Sequence, residues 1–279
     1  MNFIKKETSE PKTQAELLYA AQRRRESRFR LNVGLSWLML LVVLVLIFSG
    51  QTLPFGLHTI KLDRQFMGDN LPFIAGGINT TIGISLLSIT LATALALFAA
   101  LGRLSTFPPV YAVSTFYVSL IRGTPLFLQI FFFFLALPQL GIVIPGLWAG
   151  VLALGLNYGA YMSEIFRAGL SSVGKGQREA ALALGMTPSK TMQRIVLPQA
   201  LRFAIPPTGN EFIAMTKDSA LVSATGFVHE LMWRATEVGR AHFRNLETLI
   251  IAAIFYWILT LILSYFQGLI ETRMARGDR

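Results

Sequence analysis

Long apolar stretches alternate with charged segments along the chain, and their lengths match the thickness of a lipid bilayer. An α-helix needs about 20 mostly apolar residues to cross about 30 Å of hydrocarbon. Five stretches meet this need clearly, and a sixth does so although it contains Glu211, Lys217 and Asp218. The pattern therefore predicts an all-α polytopic membrane protein with about six transmembrane helices. The predicted spans centre on residues 35–48, 82–101, 104–137, 146–165, 205–227 and 248–270.

The first span is interpreted as a retained helix rather than a signal peptide. Residues 1–30 precede it, which is long for the basic region of a signal peptide, and Phe48 with Gly50 fits a cleavage site poorly. Ahead of it, Thr13 and Glu16 form a capping-box pattern, which is typical of a short surface helix, although a solvated tail fits equally well. The predicted segments are a basic cytoplasmic segment (1–30), an extra transmembrane helix (31–50), an external loop (51–72), a transmembrane domain (73–270) and a cytoplasmic tail (271–279).

Composition supports a membrane protein, and the distribution of charge predicts its orientation. The chain is 53% hydrophobic and only 14% charged, whereas soluble domains carry roughly a quarter charged residues. With the N-terminus inside, 18 of the 25 Lys and Arg residues fall in inner segments, five in outer loops and two within spans. Because basic loops stay on the cytoplasmic side, both termini are predicted to be cytoplasmic. The net charge of +10 thus encodes orientation and does not indicate a nucleic-acid partner.

The longest inner loop, at about residues 170–203, has the pattern of two short helices. An Ala- and Leu-rich helix is predicted to end at Gly185. A second helix is predicted to start with Thr187 as its cap and Pro188 at its first position. These features predict a protruding helical element on the cytoplasmic face to which a partner can dock. Prolines are predicted to end it at Pro198, Pro206 and Pro207.

This loop resembles the coupling loop of the membrane subunits of binding-protein-dependent, ATP-driven (ABC) importers. The pattern of that family is Glu-Ala-Ala, three residues, Gly, nine residues, Ile, any residue and Leu-Pro, and the chain matches every fixed position. In the family the loop inserts into a groove of the ATPase subunit, so the resemblance implies that these residues couple ATP hydrolysis to the membrane helices. The matching residues are Glu179, Ala180, Ala181, Gly185, Ile195, Leu197 and Pro198.

The resemblance extends over about residues 79–273, and within the family the chain is similar to the polar amino acid permeases of the histidine, glutamine, arginine and glutamate type. This similarity rests on Arg122-Gly123-Thr124-Pro125, Glu164 and Gly176-Gln177. The chain differs from these permeases at Ala220, where they usually have a residue with a hydroxyl group. The resemblance implies a five-helix core, to which the first helix is an addition, in a bacterial cytoplasmic (inner) membrane. It also implies ATPase subunits carrying ATP and Mg²⁺, a second permease subunit, identical or different, and an external amino acid-binding protein.

The chain itself shows no motif for catalysis or for binding a cofactor. A glycine-rich stretch at residues 169–176 lacks the Ser or Thr that a phosphate-binding loop places after its Lys. His58, His229 and His242 lack metal-ligand spacing, and the chain has no cysteine. We therefore predict no metal site, no bound cofactor and no enzymatic activity of this chain alone; catalysis belongs to a partner.

Placing an ionisable side chain in the hydrocarbon region is energetically unfavourable, so such residues inside the spans need partners or water. Asn157, Tyr161 and Glu164 are spaced i, i+4 and i+7 and share one helix face, which could bind a zwitterionic amino acid together with Lys217 or Glu211. Alternatively, such charges are internal locks, with Arg122 pairing with Glu164, and Lys217 with Glu211 or Asp218. The predicted solute pathway is Asn157, Tyr161, Glu164, Glu211 and Lys217, and the predicted structural charges are Arg122 and Asp218.

Two pairs of glycines in the fourth span, Gly146 with Gly150 and Gly155 with Gly159, predict close helix approach within the subunit or between subunits. Taken together, the sequence predicts a permease subunit that moves polar amino acids by alternating access. An alternative is an ion-coupled secondary transporter or channel, in which the buried charges would be the coupling site. A non-transporting membrane scaffold is a third. The coupling loop favours the first interpretation, because neither alternative requires it.

Overall fold

The computed structural model of the protein describes residues 14–53 and 57–275. The chain divides into two compact units, with the boundary between Arg64 and Gln65. The first unit consists of a long helix, α1 (Gln14–Ile47), and a small antiparallel hairpin of β1 (Thr52–Leu53) and β2 (Leu57–His58). Helix α1 continues without a break through the predicted boundary at residue 30, while the predicted cap Thr13 lies outside the described residues.

The second unit is built from helices, several of which are joined by short π-helical or 3₁₀ turns. One such turn, Phe132–Ala136, follows α5, and another, Met192–Val196, leads into α9. The helices are α2 (Arg64–Ala75), α3 (Ile78–Gly102), α4 (Pro108–Arg122), α5 (Leu126–Phe131), α6 (Gly146–Ser172), α7 (Lys175–Ala183), α8 (Pro188–Thr191), α9 (Leu197–Asp218), α10 (Leu231–His242) and α11 (Asn245–Ala275).

The centre of this unit is the packing of α6 against α3 and against the segment that follows α9. A Cβ atom on Gly155 would lie 2.5 Å from Leu91 Cδ2, and one on Gly150 would lie 2.4 Å from Val222 Cγ1. Any side chain at these two positions would clash with its neighbour, so glycine is what allows α3 and the segment after α9 to pack closely against α6. The close approach predicted for the glycine pairs of α6 therefore takes place inside the subunit.

The third predicted span is not one straight helix. Helix α4 and the helical segment from Leu126 to Leu140 meet at an angle of 105°. Within the described residues, three helices are long and apolar enough to cross a membrane, or four if this bent pair is one span. Helices α6 and α9 have 27 and 22 residues but carry ionisable side chains. The all-α fold agrees with the prediction, whereas a count of six spans is not confirmed.

The prediction that prolines end the coupling loop is wrong for α9, which runs unbroken through Pro206 and Pro207. Pro198 does not end the segment either, because it directly follows the π-helical turn Met192–Val196 and lies in the first turn of α9. Beside the inner pair, the Gln267 side chain of α11 donates to the Pro206 carbonyl oxygen at 2.6 Å. This hydrogen bond ties α9 to α11 next to the proline pair.

Candidate functional site: a polar cavity and a coupling segment

A cavity of about 640 Å³ opens beside the α4–α5 bend, α6 and α9. This volume is within the usual range of about 300–1,000 Å³ for small-molecule sites. Its wall carries one cationic residue and two acidic residues together with amide, hydroxyl and aromatic groups. The lining residues are Arg122, Gly123, Thr124, Pro125, Leu126, Asn157, Tyr158, Tyr161, Glu211 and Asp218.

The α4–α5 bend that forms one wall is held by the buried amide of Gln129. Pro125 has an extended backbone and starts α5, so the carbonyl groups before it have no regular helical partner. Gln129 Nε2 donates to the carbonyl oxygens of Ile121 and Thr124, at 2.9 and 3.2 Å. Its Oε1 accepts a hydrogen bond from Asn157 Nδ2 at 3.2 Å, which ties the bend to α6. The polar groups that shape the cavity are therefore connected.

Next to the cavity, the carboxylate of Glu164 is shared by three arginines, two at the ends of α3 and α4 and one within α6 itself. Its Oε1 lies 2.5 Å from Arg103 Nη1 and 3.3 Å from Arg122 Nη1, and its Oε2 lies 2.8 Å from Arg167 Nη2. The short contacts go to Arg103 and Arg167, and the long one goes to Arg122. The ion pair predicted between Arg122 and Glu164 is thus present as the weakest member of a larger network.

Arg122 also faces the cavity. Its guanidinium carbon lies 5.0 Å from the centroid of the Tyr161 ring, a distance at which a cation is attracted to an aromatic face. The Arg122 side chain is 42% exposed, although it contacts both Tyr161 and Glu164. Three guanidinium groups share one carboxylate, so the network has a surplus of positive charge. Arg122 can therefore offer hydrogen-bond donors to an anion in the cavity.

The acidic part of the wall comes from α9. The Tyr158 hydroxyl donates to Asp218 Oδ2 at 2.8 Å, and Glu211 is partly buried seven residues earlier on the same helix. Neither carboxylate forms an ion pair with any residue in 14–53 or 57–275. The pairing of Lys217 with Glu211 or Asp218, considered as an alternative from the sequence, is not observed in this part of the chain. These carboxylates are available to a cationic group in the cavity.

The structure separates the predicted pathway residues into two groups. Asn157, Tyr161 and Glu211 line the cavity, whereas Glu164 and Lys217 do not. The two residues predicted to be structural, Arg122 and Asp218, also line it, in addition to their contacts with Glu164 and Tyr158. Sequence reasoning missed Tyr158 and Gln129. No spacing rule would have found Tyr158, because it reaches Asp218 across 60 positions of the chain.

The coupling segment, which we define as residues 175–198, lies in one continuous stretch and has the local structure predicted for it. Gly185 follows α7 with φ +77°, and Met186 N–H donates to the Ala181 carbonyl at 3.0 Å. This is the left-handed helix ending that glycine favours. Thr187 Oγ1 then accepts from the Lys190 N–H at 3.4 Å, and Pro188 starts α8. The predicted glycine ending, threonine cap and proline start are confirmed.

Side-chain contacts attach this segment to the transmembrane helices. Gln199 Nε2 of α9 donates to Gln177 Oε1 of α7 at 2.7 Å, and Arg178 donates to the Leu170 carbonyl of α6. Elsewhere on the segment, Glu179 is exposed and Leu184 is 84% exposed. The segment therefore combines contacts to α6 and α9 with side chains that are open to a partner.

A bundle of apolar helices with a polar cavity and an exposed helix–glycine–helix segment is typical of a membrane transport subunit. The chain belongs to the family of binding-protein-dependent transport system inner membrane components, whose family model matches residues 92–276. It is therefore the permease subunit of an ABC importer.

Named relatives agree with this assignment. The arginine transport system permease protein ArtQ of Bacillus subtilis is 42% identical over 220 residues, covering 78% of this chain and 100% of its own length. The L-cystine transport system permease protein TcyB of the same organism is 44% identical over 209 residues, covering 74% of this chain and 88% of its own length. The glutamine transport system permease protein GlnP of Escherichia coli is 37% identical over 219 residues, covering 77% of this chain and 99% of its own length.

Solved structures have the same fold. A crystal structure of an amino acid ABC transporter with histidines matches with a TM-score of 0.72 and 38% identity, covering 76% of this chain and 99% of that chain. An inward-facing structure of the MetNI methionine ABC transporter matches with a TM-score of 0.63 and 18% identity, covering 76% and 99%. The second likeness concerns the fold alone.

Proposed function

We propose that this permease moves polar amino acids and that the solute passes through the cavity beside the α4–α5 bend. The observation that carries the proposal is the charge arrangement of the wall. Arg122 can bind an α-carboxylate, while Glu211 and Asp218 can bind an α-ammonium group, and Asn157 can hydrogen-bond with either. Both ends of a zwitterion would thus find partners in the region that spans the membrane.

Relatives support this class of solute. ArtQ is named for arginine, TcyB for L-cystine and GlnP for glutamine, all of which are amino acids with polar or charged groups. Tyr161 lies on the proposed solute path beside Arg122. Glu164 acts as a positioning residue, because it holds Arg122 without lining the cavity, and Lys217 is not included among the proposed solute contacts.

The rest of the proposal concerns the assembly. The coupling segment docks on an ATPase subunit that binds ATP and Mg²⁺, and this chain binds no cofactor and catalyses no reaction itself. Transport requires an external amino acid-binding protein and a second permease subunit, which is either identical or different. Both termini lie in the cytoplasm, as the distribution of basic residues favours.

Replacement of cavity residues in the assembled importer tests the solute path. We expect Arg122→Gln to raise the solute concentration for half-maximal uptake by about 10- to 100-fold, because one charge-assisted hydrogen bond is worth about 1.5–3 kcal/mol. Glu211→Gln and Asn157→Ala should raise it by smaller factors. The measurements are uptake and amino acid-stimulated ATP hydrolysis in proteoliposomes with the binding protein and the ATPase.

Arg240→Gln is the matched control, because Arg240 is exposed on α10 and does not line the cavity. Unchanged solute dependence in both Arg122→Gln and Glu211→Gln would show that the cavity is not the solute path. Uptake that follows an ion gradient without ATP hydrolysis would instead support a secondary transporter.

A further inference from the structure

Helix α1 carries a dense group of arginines directly before its apolar part. Five arginines lie within eight positions, and Leu31 follows the last of them. All five side chains are exposed. The five are Arg23, Arg24, Arg25, Arg28 and Arg30.

These arginines have no acidic partner among the residues that the structure describes. The one acidic residue among positions 21–30, Glu26, accepts a hydrogen bond from Gln22 at 3.3 Å and forms no ion pair with an arginine. The group therefore keeps a net charge of +4. Such charge on an exposed surface attracts anionic groups from outside the chain.

The helical geometry indicates what kind of partner fits. At about 100° per residue, Arg24, Arg25 and Arg28 point to one side of α1, while Arg23 and Arg30 point to the opposite side. The five cover about 10 Å along the axis, which is close to the depth of one headgroup layer plus the reach of an arginine stem. A protein or nucleic acid would contact one side, whereas a bilayer surrounds the helix.

The neighbouring residues support a position at the membrane surface. From Leu31 to Ile47 the side chains are exposed and, apart from Asn32 and Ser36, apolar, as expected for a lipid-facing helix. Phe29, among the arginines, is 67% exposed, and Tyr19, one turn before them, is 72% exposed. Tyrosine side chains are enriched at the level of the headgroups, because their rings carry a polar group.

We propose that these arginines form a binding site for the phosphate groups of anionic phospholipids, so that α1 selects acidic lipids around its basic end. Because one arginine near an anionic surface favours binding by about fivefold, the group as a whole should give a clear preference over zwitterionic lipids. The proposal does not depend on the solute path or on the coupling segment.

Fluorescence of Trp37 gives a local test, because Trp37 lies two turns beyond Arg30 on α1 and is 59% exposed. The full-length chain, with its other three tryptophans replaced by phenylalanine, is reconstituted into vesicles that contain brominated phosphatidylglycerol or brominated phosphatidylcholine. Brominated lipids quench a nearby tryptophan, so the ratio of the two quenching curves measures the lipid preference at α1. We expect at least a fivefold preference for phosphatidylglycerol.

Charge variants decide whether the arginines cause that preference. The variant R23Q/R24Q/R25Q should lose most of it and still keep Arg28 and Arg30 as orientation signals. The matched variant R23K/R24K/R25K should retain it, and E26Q should increase it. The proposal is overturned if the glutamine variant keeps the wild-type ratio or if the wild type shows no preference. It is also overturned if inorganic phosphate at constant ionic strength removes the preference, because the arginines would then bind free phosphate.

Discussion

The coupling segment and the polar cavity differ in how the chain builds them. Residues 175–198 form the segment in chain order, and its turns are set by local residues such as Gly185 and Thr187. The cavity is built from residues near positions 122, 157 and 211, which belong to different helices. The comparison shows that a site encoded locally can be identified from a motif, while a site formed by helix packing requires distances.

The two regions also differ in what their charges contact. In the coupling segment, Glu179 is exposed and makes no ion pair within the part of the chain that the structure describes. Beside the cavity, Glu164 is engaged by Arg103, Arg122 and Arg167. A substitution at Glu179 should therefore affect the partner contact without affecting the fold, whereas a substitution at Glu164 should affect the fold first.

The largest effect is expected for Glu179→Lys. A groove that accepts a carboxylate would meet an ammonium group, and like-charge contacts at interfaces cost several kcal/mol, so uptake should fall by about a hundredfold or more. Uptake and co-purification with the ATPase measure the effect, and thermal unfolding of the isolated permease should not change. Glu237→Lys, at another exposed glutamate, is the control. Normal uptake in Glu179→Lys would contradict the docking role.

Glu164→Gln should lower the stability of the fold rather than weaken the contact with a partner. The substitution leaves three guanidinium groups without a carboxylate, and removing one partner of a partly buried ion pair destabilises by about 2–3 kcal/mol, less than for full burial. The Glu164 side chain is 26% exposed, which justifies the smaller value. We expect a lower midpoint of thermal unfolding in detergent, with Glu237→Gln unchanged. An unchanged midpoint for Glu164→Gln would show that the network does not stabilise the helix ends.

Much of the fold is predictable because lipid leaves few alternatives to helices for apolar segments. The bend at Pro125 is not predictable, because its shape depends on the contact between Gln129 and Asn157 of α6. The continuity of α9 through Pro206 is not predictable either, because a proline pair is typical of a helix end. For the cavity, helix periodicity predicts that Asn157 and Tyr161 share one helix face, and both residues line the cavity. It could not show that Glu164 faces the arginines, because that depends on the ends of α3 and α4.

The smallest effect is expected at Gly185, where local encoding can be tested by itself. A Cβ atom on Gly185 would meet no other atom within 4 Å, so only its φ of +77° opposes a side chain. Gly185→Val should therefore cost about 1–2 kcal/mol of local stability and reduce coupled uptake. Gly185→Asn should cost less, because asparagine tolerates this conformation. The measurement is the number of solutes moved per ATP hydrolysed. Equal losses in the two variants would show that side-chain bulk at the docking face matters, and not the backbone conformation.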